Sequence, residues 1–406
     1  MNRSSDLSEQ SNIRGRAFGL GFFSILTYTT GYVARKLLDV AIPEMTNAES
    51  GVFTKEFVGI LAALLVVAYA AGQIFSGFLG DSIPAKYMVL IGLSTVGVVN
   101  IVFSFTALAW LQILCFILMG LGLSMLRGPL TKMVSESLDK DRSQFICTLI
   151  YVFSMLAPIA ASGLALIFRW QNMFRYTGFF TLFIGILVFV VIAVFEKKGW
   201  ITFRKSERSG LSAYKGIFRI DGVIFFMIVG GITEIAGTAI GQWRTTYFAD
   251  ALSLSNETAQ ILNMAVAILD TATPFLTLAL YRLIKKREIL LLRIVFPIAI
   301  LSFFAMVFIP NTLPVPNILL FVLGKTAIGF AGAVLWSIFI PSLGHTGNVS
   351  SISGMIDCAG YIATAFATFV FGRLAGANWT AIILIWVGIA CVGLVASCLR
   401  KQSKPE

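Results

Sequence analysis

The chain has 406 residues, of which 57% are hydrophobic and 13% charged. Soluble domains carry about 25% charged residues, so this balance, with a mean hydropathy of +0.87, excludes a water-soluble fold and leaves an integral membrane protein. The net charge of +11 does not indicate nucleic acid, because the basic residues fall in short polar stretches between apolar runs, where they report topology.

In chain order, residues 1–12 are polar and show no cleavable-signal pattern, so the first apolar run is expected to remain in the mature protein. Apolar runs follow near 17–39, 57–80, 86–107, 109–134, 144–168, 175–195, 221–248, 258–283, 289–309, 316–342, 349–373 and 379–399. A helix needs about 20 residues to cross the hydrocarbon core. These runs are too long and continuous for barrel strands, the other structure that can span lipid. The expectation is an all-α membrane protein of twelve transmembrane helices, multi-pass in the cell membrane (a bacterial plasma or inner membrane).

Basic residues then orient the chain. One set of connecting segments holds Arg3, Arg14, Arg16, Lys86, Lys132, Lys140, Arg142, a basic central loop, Arg282, Lys285, Lys286, Arg287, Arg293, Arg400, Lys401 and Lys404. The opposite set holds only Lys55, Arg169, Arg175 and Arg373. The excess places both termini in the cytoplasm. The central loop, with Lys197, Lys198, Arg204, Lys205, Arg208, Lys215 and Arg219, is the longest internal polar stretch. It divides the chain into a six-helix bundle at 1–200, a cytoplasmic linker at 201–220 and a second six-helix bundle at 221–406. A faint internal echo agrees: Arg142-Ser143 and Arg169-Trp170 bracket one span, as Ser350-Ser351 and Asn378-Trp379 bracket another.

Ionisable residues within spans are expensive and default to function. Arg35 and Lys36 close the first span; a guanidinium there costs roughly 2.5–3.5 kcal/mol on insertion scales. Arg127 lies in the fourth span, where it either completes an anion clamp or snorkels beside Lys132. Glu234 and Arg244 lie in the seventh span, Asp270 in the eighth, Lys325 in the tenth and Asp357 in the eleventh. Such carboxyls either carry a proton, pair (Asp270 with Lys325 or Arg244), or line a polar cavity. Arg244, near the outer end of its span, is a second arginine that could complete a clamp, and otherwise reads as gating or interfacial. Tyr32 and Tyr151 are the best cavity candidates among the aromatic residues, while Tyr28, Tyr69, Trp243, Tyr247, Trp336 and Tyr361 read as packing.

No metal or cofactor is expected. Cys115, Cys147, Cys358, Cys391 and Cys398 lack metal-ligand spacing, and His345, the single histidine, makes neither a metal site nor a triad. No glycine-rich nucleotide loop is present, so the chain is read as a non-enzyme without direct ATP drive.

Gly77-Phe78-Leu79-Gly80-Asp81-Ser82-Ile83-Pro84-Ala85-Lys86, between the second and third spans, resembles the loop signature of the major facilitator superfamily, with Ser82 where an arginine is usual. Its glycines permit close helix approach, and Asp81 can pair across the cytoplasmic face as a gate. Within that superfamily four segments resemble the organophosphate:phosphate antiporters, which include glycerol-phosphate and hexose-phosphate carriers. They are Tyr32-Val33-Ala34-Arg35-Lys36 with Ala41-Ile42-Pro43, Gly128-Pro129-Leu130-Thr131-Lys132-Met133-Val134 with Asp141-Arg142, Trp243-Arg244-Thr245-Thr246-Tyr247, and Ser353-Gly354-Met355-Ile356-Asp357 with Gly360-Tyr361 and Trp379.

The resemblance implies alternating access around a midplane site between the two halves. It also implies two arginines gripping phosphate, a task suited to a planar five-donor fork. Arg35 matches the first of these. The position matching the second is Gly237, so either Arg127 replaces it from another helix or the solute is not a phosphate ester. The substrate-binding set expected is therefore Arg35, Lys36, Tyr32, Arg127 and Tyr151; the coupling or gating set is Glu234, Asp270, Lys325, Asp357, Arg244 and Asp81. Three functions stay open: a monomeric secondary transporter of a small anionic solute, a sugar phosphate or related phosphorylated or carboxylated compound, with protons or inorganic phosphate as coupled species; a proton-coupled transporter or exporter of a non-phosphorylated solute; and a transporter-like hexose-phosphate sensor, as in one branch of that family.

Overall fold

A computed structural model describes residues 3–47, 53, 55–205, 216–374 and 378–400. Residues 206–215 of the expected linker, with Arg208 and Lys215, lie outside the described residues, as do Lys401 and Lys404. Among the described residues there is no strand, and twelve helices are long and apolar enough to cross a membrane. Leu166, Phe18, Leu301 and Phe366 stand exposed on helix surfaces. In water such surfaces would drive association; here they are the faces that lipid covers.

The chain forms two compact units: Met1–Ile217 with Ile340–Met355, and Phe218–Phe339 with Ile356–Glu406. In the first unit the spans are Arg3–Asn47, Lys55–Ser82, Ala85–Phe105, Ala109–Ser137, Lys140–Ile167 and Trp170–Lys197. The third packs most extensively on the fourth and sixth, the second on the fourth, and the first on the fifth. Missing side chains make the tightest of these contacts possible. A Cβ on Gly92 would lie 2.7 Å from the Gly122 carbonyl, and one on Gly122 would lie 2.9 Å from that of Gly92. Gly97 and Gly178 form the same reciprocal crossing between the third and sixth spans, where a Cβ on either would lie 2.8 Å from the other's carbonyl. Lipid offers helices no hydrophobic drive to associate, so close backbone approach of this kind carries the packing.

Residues 340–355 belong to the first unit because they fit it at backbone distance. Ser350 lies against both Gly80 and Gly128, and Gly354 meets the carbonyl of Gln73.

In the second unit the seventh span begins as helix Val223–Glu234, widens to a π-helix over Ile235–Ile240, narrows over Gly241–Thr246 and widens again over Tyr247–Ala251. The sequence led us to expect one regular helix there. Small residues (Ala236, Gly237, Ala239, Gly241) make the widened turns sterically cheap, and such turns cluster at functional sites. The tenth span, Pro314–Ala333, widens likewise over Val334–Phe339 and ends in a tight turn at Leu343–Thr346, which carries the exposed His345. The eighth, ninth, eleventh and twelfth spans are Asn256–Leu283, Glu288–Phe308, Val349–Leu374 and Trp379–Leu399. The ninth packs on the tenth and twelfth around an aromatic core of Phe303, Phe321 and Trp386.

Candidate functional site

Tyr28, Tyr32 and Arg35 recur at helical spacing, so they share one face of the first span. The Tyr28 and Tyr32 rings sit 4.8 Å apart. The Arg35 guanidinium carbon lies 5.5 Å from the Tyr32 ring centre and 4.6 Å from that of Tyr69, a buried residue of the second span. Arg35 thus lies near two aromatic rings, an environment that attracts a cation by the ring quadrupole. Lys36, the next residue, points elsewhere: its Nζ is 2.8 Å from Asp39 Oδ2, on a partly exposed face of the same helix.

Arg127 is buried in the fourth span and acts electrostatically on Cys147 of the fifth; Tyr151 follows Cys147 by one turn and is half-buried. Gly31, one turn before Arg35, packs on Leu126, the residue before Arg127.

A second cluster sits at the end of the second span, where Asp81 is fully buried. Its Oδ1 accepts from the Ser350 amide at 3.0 Å and its Oδ2 from the Ser351 amide at 2.9 Å. These amides lie in the first turn of the eleventh span, so Asp81 supplies the acceptor that an uncapped helix start lacks. Lys132 Nζ reaches Asp81 Oδ1 at 3.1 Å, the Gly347 carbonyl at 2.6 Å and Glu136 Oε1 at 3.6 Å. Gly347 has φ of +70°, a left-handed turn that glycine adopts without strain and that aims its carbonyl at the lysine. The linker joins the cluster: the Arg204 amide donates to Glu136 Oε2 at 2.8 Å and the Thr202 amide to Ser137 Oγ at 3.0 Å.

A third cluster lies within the second unit. Arg244 Nε donates to Asn263 Oδ1 at 2.7 Å, its Nη2 donates to the Asn263 carbonyl at 3.2 Å, and its Nη1 lies 3.7 Å from Asp270 Oδ2. Lys325 Nζ pairs directly with the same Asp270 oxygen. Asn263 and Asp270 are seven residues apart on the eighth span, two turns along one face, which lets both meet Arg244. Asp270 therefore pairs with both of the cations named for it. Gly237, on the exposed side of the seventh span, has open space around it. Glu234 packs against Gly360 of the eleventh span, and Asp357 is fully buried there.

Of the predicted residues, the fold brings together Tyr32 with Arg35, and Arg244 with Asp270 and Lys325. Sequence reasoning overlooked Tyr69 as a neighbour of Arg35, Lys132 as the partner of Asp81, and Asn263. A signal existed for Asn263, whose spacing from Asp270 marks a shared helix face.

The match to the Major Facilitator Superfamily extends over residues 22–368. Among curated proteins, the Membrane sensor protein UhpC of Salmonella typhimurium is 29% identical over 167 residues, covering 40% of this chain and 37% of that protein. UhpC of Escherichia coli is 28% identical over 167 residues, with 40% and 38% covered. The matched stretch is therefore well under half the length of these relatives. Among solved structures, the transporter FucP in its outward conformation superposes with a TM-score of 0.73 at 15% identity, covering 94% of this chain and 99% of its own. A bacterial homologue of the iron transporter ferroportin, outward-facing with soaked iron, gives 0.75 at 10% identity, with 93% and 98% covered. At such identities the structural likeness is one of fold, and it agrees with the family match: this multi-pass membrane protein belongs to the Major Facilitator Superfamily.

Proposed function

We propose that the protein is a secondary transporter of a small organic anion, a sugar phosphate or a related phosphorylated or carboxylated solute, working by alternating access. The observation that carries this reading is the Arg35 guanidinium within 5.5 Å of the Tyr32 ring centre and 4.6 Å of that of Tyr69 in a membrane span. A guanidinium is a planar five-donor fork that matches two oxygens of a carboxylate or phosphate. Arg35 is then the primary anion ligand, with Tyr32 on the same helix face and Arg127 and Tyr151 as further contributors; Lys36, turned to Asp39, is left out of the site. Asp81 serves as a latch released during the transport cycle, and Glu234, Asp270, Lys325, Asp357 and Arg244 serve in coupling or gating. Protons or inorganic phosphate are the coupled species in this reading.

Counterflow in proteoliposomes tests it, with inorganic phosphate, hexose phosphates, glycerol phosphate and sugar acids as the panel. At least one anion should exchange. Arg35→Lys keeps the charge but removes the fork, and loss of a buried charge-assisted contact costs about 2 kcal/mol or more, roughly a 30-fold fall in rate. Wild-type exchange by that variant would sink the assignment. A second reading, a membrane sensor that binds the same anions with little flux, is favoured by the names of the curated relatives. Retained equilibrium binding with no counterflow would select it.

A further inference from the structure

The cluster around Asp270 holds more positive than negative charge. Asp270 Oδ2 lies 3.7 Å from Arg244 Nη1 and pairs directly with Lys325 Nζ. Two cations thus share one carboxylate, in a site where Arg244 is 6% and Lys325 8% exposed. One group is also left without a hydrogen-bond acceptor. Arg244 spends Nε and Nη2 on Asn263, whereas Nη1 is buried and donates to nothing among the described residues; its nearest carboxylate oxygen is 3.7 Å away. A buried guanidinium nitrogen with no acceptor costs as much as a lost charged hydrogen bond, and a surplus buried charge costs several kcal/mol more. A protein keeps such a site when something else fills it.

We infer that Arg244 and Lys325 form an oxyanion subsite in which Asp270 is the resident occupant, displaced when the carboxylate or phosphate of an incoming solute binds Lys325 and Arg244 Nη1. The inference rests on the proposed anion transport and deepens it. The position matching the family's second arginine is Gly237, and Arg244 lies seven residues further along the same span. Arg244 stands between two π-helical segments, Ile235–Ile240 and Tyr247–Ala251, and the span of Lys325 carries another at Val334–Phe339. Widened turns of this kind can re-aim side chains without unwinding the helix. The Asp270 side chain keeps 21% exposure, so the cluster is not sealed. An exchangeable carboxylate also explains why two buried cations are tolerated before the solute arrives.

The test is equilibrium binding of inorganic phosphate and a hexose 6-phosphate to purified protein in nanodiscs of zwitterionic phosphatidylcholine. One neighbouring charge shifts a carboxylate's proton affinity by one to three decades. Asp270→Asn, which removes the internal competitor, should therefore tighten anion binding by about tenfold or more. Lys325→Gln and Arg244→Gln should weaken it by about tenfold, while Lys325→Arg retains it. Unchanged or weaker binding by Asp270→Asn at an unaltered melting temperature overturns the inference. If that variant does not fold, equal affinity of Lys325→Gln and wild type overturns it instead. An effect of Lys325→Gln seen only when anionic phosphatidylglycerol is added would assign the site to lipid headgroups, and the inference falls. Binding that Arg35→Lys abolishes but that ignores Asp270, Lys325 and Arg244 refutes this subsite alone. A wild-type protein that binds no anion in the panel refutes the proposed function and the subsite together.

Discussion

Replacing Asp81 with alanine should loosen the start of the eleventh span. The Ser350 and Ser351 amides belong to the first turn of the eleventh span, where no carbonyl of the same helix can accept from them. Asp81 takes both, at 3.0 and 2.9 Å, and takes Lys132 at 3.1 Å. Charge-assisted hydrogen bonds contribute about 1.5–3 kcal/mol each, and breaking a buried ion pair by removing one partner costs about 3–5 kcal/mol. These figures overlap, because one carboxylate makes all the contacts and such contributions do not add. Lys132 would also keep the Gly347 carbonyl at 2.6 Å and Glu136 at 3.6 Å. The low end applies, about 3 kcal/mol, which is roughly two decades in a local opening equilibrium. Residue-resolved hydrogen exchange in nanodiscs reads it. The Ser350 and Ser351 amides should exchange roughly 100-fold faster in Asp81→Ala, with amides beyond Ile356 unchanged. Asp81→Asn should fall between, since its amide keeps one acceptor oxygen but turns a donor toward the second N–H. Undiminished protection of both serine amides in Asp81→Ala would refute the reasoning.

Two further predictions concern stability. Gly178→Ala places a methyl 2.8 Å from the Gly97 carbonyl and 2.7 Å from the Ile101 side chain, so it should destabilise by about 1–3 kcal/mol and lower the melting temperature in detergent; an unchanged melting temperature would show that the third and sixth spans separate freely. Arg400 donates to both oxygens of Asp221, and this hydrogen bonding holds the Asp221 carboxyl below its ordinary range. A depressed folded value means that the pair stabilises fully above the unfolded value, about 3.9, and loses its effect as pH falls through the folded one. Asp221 is 78% exposed, so the contribution sits at the low end of the ~0–1 kcal/mol of surface pairs. The melting difference between wild type and Asp221→Asn should shrink on acidification and in about 1 M salt; a difference indifferent to both would assign it to something other than the pair.

The spans were legible because lipid demands continuous apolar runs, a condition written residue by residue. Their internal geometry was not. The widened turns at Ile235–Ile240 and Val334–Phe339 depend on which carbonyl each amide reaches, and a hydrophobicity pattern does not encode that choice. Arg35 was visible because a membrane guanidinium is costly, yet its neighbour Tyr69 comes from another span and looks in sequence like any packed aromatic residue. Asp81 was visible as a motif, while its acceptor role was hidden because the amides it holds lie 269 and 270 residues away.

The two ionic clusters obey the same electrostatics with opposite outcomes. Around Lys132 the carboxylates are in excess, Asp81 and Glu136 against one ammonium, but the amides of Ser350, Ser351 and Arg204 supply the missing positive ends. Backbone that belongs to the fold meets most of that surplus, and Glu136 Oε1 is left 3.6 Å from Lys132 Nζ. Around Asp270 the cations are in excess, and no backbone carbonyl reaches Arg244 Nη1 among the described residues. What separates the clusters is the sign of the excess: a mobile anion can meet surplus cations, and it would be repelled by surplus carboxylates. On that criterion the Asp81 cluster should report itself in helix-end protection, and the Asp270 cluster in anion affinity.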